Sequence, residues 1–172
     1  HGHVLALRAR RCHSLPGIVG PHPAAHDRGM DNVIDLTAFA ERYVALWNEP
    51  DSARRRQQIA LLWAPGGGQV LVDPPEEVRA AADHHQFLVP PLAVHGHEAL
   101  DARVSRAYEN FIAAGEHVFV AQGPATRLLG HVVSIRWEMV TTGDGTHAGG
   151  GVNVMELDDD GRIRIDYQFI ER

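Results

Sequence analysis

Residues 131–170, HVVSIRWEMVTTGDGTHAGGGVNVMELDDDGRIRIDYQFI, decide the fold. Three runs rich in β-branched and aromatic residues are parted by Gly143-Asp144-Gly145 and by Asp158-Asp159-Asp160-Gly161. Glycine accepts a positive φ and aspartate bonds its own backbone, so both breaks read as hairpin turns. Side chains alternate between the two faces of a strand. Val133, Ile135, Trp137 and Met139 then share one face, and Ser134, Arg136 and Glu138 the other. Asn153 falls with Met155 and Leu157, a polar group on an apolar face. Ile163, Ile165, Tyr167 and Phe169 stand against Arg164, Asp166 and Gln168. The apolar faces are expected to meet helices.

Upstream, the strand character extends over 117–122 and through one long strand at 125–142. Before Gly115 the period changes to 3.6. Leu36, Phe39, Ala40, Tyr43, Val44 and Trp47 lie on one helical face, which predicts a helix over 35–48. Asp51 or Ser52 caps a second helix through Ile59, Leu62 and Trp63, ended by Pro65-Gly66-Gly67-Gly68. Gln69–Asp73 reads as a short strand, 76–83 as a short helix and 86–95 as a proline-broken loop. A third helix runs from His97 to Ala114 with Leu100, Val104, Tyr108, Phe111 and Ile112 inward. Helices first and an antiparallel meander after them make an α+β fold, a curved sheet with helices on one face.

The chain has 172 residues, net charge −6, and 16 basic residues that are all arginine. Residues 1–29 hold four arginines and one acid, and the rest of the chain is strongly acidic. This balance argues against a broad nucleic-acid surface. Segment 1–29 reads as a basic, flexible extension, with Met30 opening a single domain over 30–172. The one cysteine, Cys12, allows no internal disulfide. No apolar run approaches the ~20 residues that span a bilayer, and the expected compartment is cytoplasmic. With no lysine, a Schiff-base amine is unavailable, so any chemistry falls to carboxylate, phenol, amide or imidazole.

Three polar residues intrude on apolar surfaces: Tyr43 on the inner face of the first helix, Asp73 after Val70-Leu71-Val72, and Asn153. A carboxylate lowered into an apolar pocket has its pKa raised, which makes it a proton carrier near neutral pH. The expected lining of such a pocket is Trp47, Trp63, His85, Phe111, Trp137, Met155 and Tyr167. His84-His85 and His95-Gly96-His97 match no metal-ligand spacing. The Asp158–Gly161 turn lacks the ligand set of a calcium loop, and Gly149-Gly150-Gly151 precedes a strand, unlike a phosphate cradle. No metal or other cofactor is expected.

Over about 33–172 this layout resembles the nuclear transport factor 2-like superfamily, the cone-shaped α+β fold of SnoaL-like polyketide cyclases and ketosteroid isomerase. Glu41–Asn48 looks like the isomerase's first helix, whose tyrosine donates to an enolate; Val70–Pro74 looks like its strand ending in the Asp-Pro of the general base. The resemblance implies Asp73 as base, with Tyr43 and Asn153 holding the oxyanion. Asn153 stands where the isomerase has a protonated aspartate, and the segment between Tyr43 and Asp73 is longer. Arg136-Trp137-Glu138 and Asp166-Tyr167 are similar to the Arg-x-Asp and Asp-Tyr of limonene epoxide hydrolase. Alternation puts Arg136, Glu138 and Asp166 on the outer face as a cross-strand ion-pair cluster. The implied partners are a small apolar, polyketide- or steroid-like molecule and a second copy of the chain. One alternative is a non-catalytic ligand-binding or protein-interaction module of the same fold, and a second is an epoxide hydrolase-like enzyme using Arg136, Glu138 and Asp166.

Overall fold

The computed structural model describes residues 34–72, 76, 80 and 93–171. Segment 1–29, Asp73, His84 and His85 lie outside the described residues. Helix α1 spans Leu36–Asn48, and the Asp35 side chain caps it by accepting from the Thr37 and Ala38 amides at 3.0 Å. Its buried face keeps Phe39, Ala40, Tyr43, Val44 and Trp47 of the sequence stripe and adds Leu46, while Leu36 is only partly buried. Helix α2 spans Ser52–Leu62 with Asp51 as cap, bonded to the Arg54 amide at 2.8 Å.

Helix α3 spans Gly96–Ala107 and widens into a π turn over Tyr108–Ile112. The π turn adds a residue to the helical repeat. Ile112, eight residues after Val104, therefore takes the inward position, and Phe111, which the 3.6 period places inward, is 46% exposed. Arg55 ties this helix to the α1–α2 loop. Its Nη1 donates to the Glu49 and Pro50 carbonyls at 2.8 and 3.0 Å, its Nη2 to Ser105 Oγ at 3.3 Å, and its guanidinium lies 5.0 Å from the Tyr108 ring centre.

The strands are β1 (Trp63–Leu71), β2 (Ala93–His95), β3 (His117–Ala121), β4 (Thr126–Leu129), β5 (Val132–Thr141), β6 (His147–Leu157) and β7 (Ile163–Ile170). They form one sheet in the order β2-β1-β7-β6-β5-β3, with β4 also on β5. Four expectations change. Gly130, at φ 54°, breaks the long 125–142 strand into the β4–β5 hairpin. Part of the 86–95 loop is β2. β1 pairs with β7 in parallel, so the sheet is not a simple meander. The second helix ends at Leu62 and β1 starts at Trp63, so the Pro65–Gly68 run, expected to end that helix, lies within the strand as an irregularity against β7. A Cβ at Gly67 would meet the Ile163 carbonyl oxygen at 2.5 Å, so only glycine fits that approach.

A second irregularity decides the site. Leu157 pairs with Ile163, but Glu156 pairs with Ile165 and Met155 with Asp166. One extra residue sits in β7, a β-bulge, and it reverses the inside–outside parity of every residue beyond it. Ile163 faces the core, and so does Asp166; both are fully buried. Tyr167 and Phe169, expected inward, are 41% and 43% exposed. The core is closed by helix residues Phe39, Leu46, Ile59, Leu100 and Val104 against strand residues Val133, Ile135, Met155, Leu157 and Ile163.

Candidate functional site

The interior contains a polar cluster inside this apolar shell. Tyr43 comes from α1, Gln69 from β1, Asn153 from β6 and Asp166 from β7, and all four are buried. Tyr43 Oη donates to Asp166 Oδ2 at 2.7 Å. Gln69 Nε2 donates to Asp166 Oδ2 at 2.8 Å and to Tyr43 Oη at 3.2 Å. Asn153 Nδ2 donates to Asp166 Oδ1 at 2.7 Å and to Tyr43 Oη at 2.8 Å. Register explains the convergence: Gln69 lies beside Asp166 across the parallel β1–β7 pair, and Met155, two residues from Asn153, lies opposite Asp166 on β6.

Outer donors flank the cluster. Trp137 Nε1 donates to Asn153 Oδ1 at 2.7 Å. Arg103 on α3 reaches the Gln69 carbonyl oxygen at 3.3 Å and Gln69 Oε1 at 3.4 Å. The Tyr43 ring packs between Trp47 and Trp63, with ring centres 6.1 and 5.7 Å away. The indole nitrogen of Trp63 is buried with no hydrogen-bond partner among the described residues.

Burial dominates the electrostatics. It raises the Asp166 carboxyl from the ordinary 3.8 to about 6, against the bonds from Asn153, Tyr43 and Gln69 and the charge of Arg103, which favour the carboxylate. The Tyr43 phenol is pushed well above its ordinary value, first by burial and then by the Asp166 charge. Burial also lowers the Arg103 guanidinium from its ordinary value, opposed by Asp166. A carboxylate near 6 among neutral donors is able to take up and return a proton near neutral pH.

Of the residues expected from the sequence, Tyr43 and Asn153 lie within hydrogen-bond distance of each other, and Trp47, Trp63, Trp137 and Met155 lie around them. Asp73 and His85 lie outside the described residues. Phe111 and Tyr167 point away from the cluster, displaced by the π turn and the bulge. Arg136, Glu138 and Asp166 do not form an outer ion-pair cluster: Arg136 is exposed, Glu138 Oε1 lies 3.6 Å from His147 Nδ1, and Asp166 is inside. Sequence reasoning missed Gln69, a residue of β1 after three glycines whose neighbour on β7 no local pattern reveals. His97 is structural, its Nε2 3.1 and 3.2 Å from the Trp63 and Ala64 carbonyl oxygens. No group of three or more metal-ligating side chains converges among the described residues.

Two surface clefts of about 330 and 370 Å³ flank the sheet end and the α1–α2 side. Neither is lined by Tyr43, Gln69, Asn153 or Asp166. Among the described residues no helix is long and apolar enough to cross a membrane.

No protein-family model matches the sequence, and no curated protein matches it. Solved structures match in fold. A proposed isomerase of the SnoaL-like family from Agrobacterium tumefaciens is 23% identical, with a TM-score of 0.60 over 80% of this chain and 97% of its own. A nuclear transport factor 2-like protein from Exiguobacterium sp. 255-15 is 17% identical, with a TM-score of 0.53 over 77% and 98%. A protein with a cystatin-like fold from Methylobium petroleophilum is 13% identical, with a TM-score of 0.51 over 81% and 80%. The chain has the nuclear transport factor 2-like fold, a curved α+β sheet packed against three helices.

Proposed function

We propose that this chain is an acid–base catalyst acting on a small, mainly apolar carbonyl compound, with Asp166 as the proton carrier. The observation that carries the reading is the fully buried Asp166 carboxylate, held by Tyr43, Gln69 and Asn153 at 2.7–2.8 Å. In this reading the carboxylate takes a proton from the carbon beside the carbonyl, and the electron pair moves to the carbonyl oxygen. Asp166 is then neutral and holds the Tyr43 hydroxyl less strongly, which frees that hydroxyl to donate to the developing enolate. Return of the proton at another carbon completes an isomerisation. The reading extends to a pair of chains, with exposed Tyr167 and Phe169 giving the outer sheet face an apolar surface for a second copy.

A second reading, a non-catalytic binding or interaction module, is favoured by the mutual satisfaction of the cluster. Tyr43 Oη gives one bond and accepts two, and both amide nitrogens are fully used. Deuterium exchange at the α-carbons of small cyclic ketones, followed by NMR from pH 5 to 8, separates the two. Catalysis requires accelerated exchange that rises through pH about 6 and falls about 100-fold or more in Asp166→Asn. No acceleration by the wild type favours the binding module. Loss in Asp73→Asn with full activity in Asp166→Asn moves the base to Asp73.

A further inference from the structure

Trp137 on β5 stands opposite Gly151 on β6, and the close approach is possible because Gly151 has no side chain. A Cβ there would meet Trp137 Cζ2 at 2.8 Å and collide with the Phe169 carbonyl oxygen. The indole crosses the strand and reaches Asn153, two residues along and on the same face. Its Nε1 is a donor and nothing else. The Asn153 atom that it meets at 2.7 Å is therefore the carbonyl oxygen, which turns Nδ2 toward Tyr43 and Asp166. The same logic holds on the far side of the cluster. Arg103 carries only donors, so the Gln69 atom facing it is Oε1, and Nε2 is turned to Asp166.

We infer that Trp137 is a positioning residue for the proton carrier: by holding Asn153 Oδ1, it fixes which end of that amide faces the Asp166 carboxylate. The inference rests on the reading of Asp166 as proton carrier for its catalytic meaning, but the orientation is testable without substrate. With the indole donor removed, the Asn153 amide is free to turn its oxygen toward Asp166. Two acceptors facing each other favour the protonated acid. Among the described residues, the ionisable groups that act on Asp166 include Tyr43 from α1 and Arg103 from α3, whereas the indole Nε1 acts on it through Asn153.

The test is a carbon-13 carboxyl titration of Asp166 in the full chain without ligand, paired with the pH profile of ketone exchange. Two variants remove the donor: Trp137→Phe, and replacement of Trp137 by its benzothienyl analogue, in which sulfur takes the place of the indole N–H at nearly constant volume. Phe119→Leu serves as control. It removes the edge-on ring contact with Trp137, 5.5 Å between centres, and keeps the N–H. The expected result is a midpoint about one pH unit higher in both donor-free variants, with the exchange profile moving alongside, and an unchanged midpoint in Phe119→Leu. A folded benzothienyl variant that titrates like the wild type overturns the inference. So does an equal shift in Phe119→Leu, which makes the effect one of packing. If the midpoint moves but the wild type exchanges no ketone protons, the positioning holds and the catalytic reading falls.

Discussion

Asn153 donates to Asp166 at 2.7 Å although the two are not paired in register. Across β6 and β7, Asn153 stands opposite Gln168, and Asp166 stands opposite Met155. The bond is a diagonal one between residues on the same face, within reach of two short polar side chains. It joins the amide oriented by Trp137 to the buried carboxylate of Asp166.

Stability depends on pH through Asp166. Its folded value, about 6, exceeds the ordinary 3.8, so the native state holds the proton more tightly than the unfolded chain. This contribution is fully present below 3.8 and is lost as pH rises through about 6, for a total of about 3 kcal/mol. Denaturant unfolding of wild type and Asp166→Asn at pH 3.5–8 is expected to give a difference curve with that slope and a plateau above it. A flat difference curve contradicts the assignment.

Tyr43→Phe removes the hydroxyl that donates once and accepts twice. The expected loss is about 1–3 kcal/mol at pH 8, where Asp166 is ionised. The Asp166 midpoint is expected to rise further, because a bond to the carboxylate is gone. Urea unfolding and carboxyl NMR measure the two effects separately.

Arg55→Leu tests the clasp between the α1–α2 loop and α3. It leaves the Glu49 and Pro50 carbonyls without their donor. A loss of about 2–3 kcal/mol is expected, with faster amide exchange confined to residues 49–55. Unchanged stability shows that water replaces the guanidinium without penalty.

Gly151→Ala is expected to cost about 1–3 kcal/mol by overpacking. The added carbon displaces the Trp137 indole, so the Trp137 side-chain N–H resonance is expected to lose its hydrogen-bonded shift. An unchanged resonance shows that the strand yields instead.

Sedimentation tests the pairing of chains. Wild type is expected as a homodimer, and Tyr167→Glu with Phe169→Glu as a monomer of 18.9 kDa. A monomeric wild type removes the outer sheet face as its surface.

The sequence carried the helices and most strands because one-sided burial leaves a local period: α1 reads directly from Phe39, Tyr43 and Trp47. Tyr43 and Asn153 were legible for the same reason, as polar residues in apolar series. Asp166, Tyr167 and Phe111 were misread because the alternation and the helical period are each interrupted by one residue, and an insertion of one leaves the composition around it unchanged. Gln69 was illegible because its role is set by β7, about a hundred positions away, through a parallel pairing that neither strand announces.

The bulge in β7 ties two surfaces to one count of residues. The frame that turns Asp166 inward turns Tyr167 and Phe169 outward. Deleting a single residue between Ile163 and Asp166 would expel the carboxylate into solvent and draw two aromatic rings into the protein in the same event. Interior chemistry and exterior adhesion in this strand are therefore not separately adjustable by insertion or deletion; only substitution in place can alter one and spare the other.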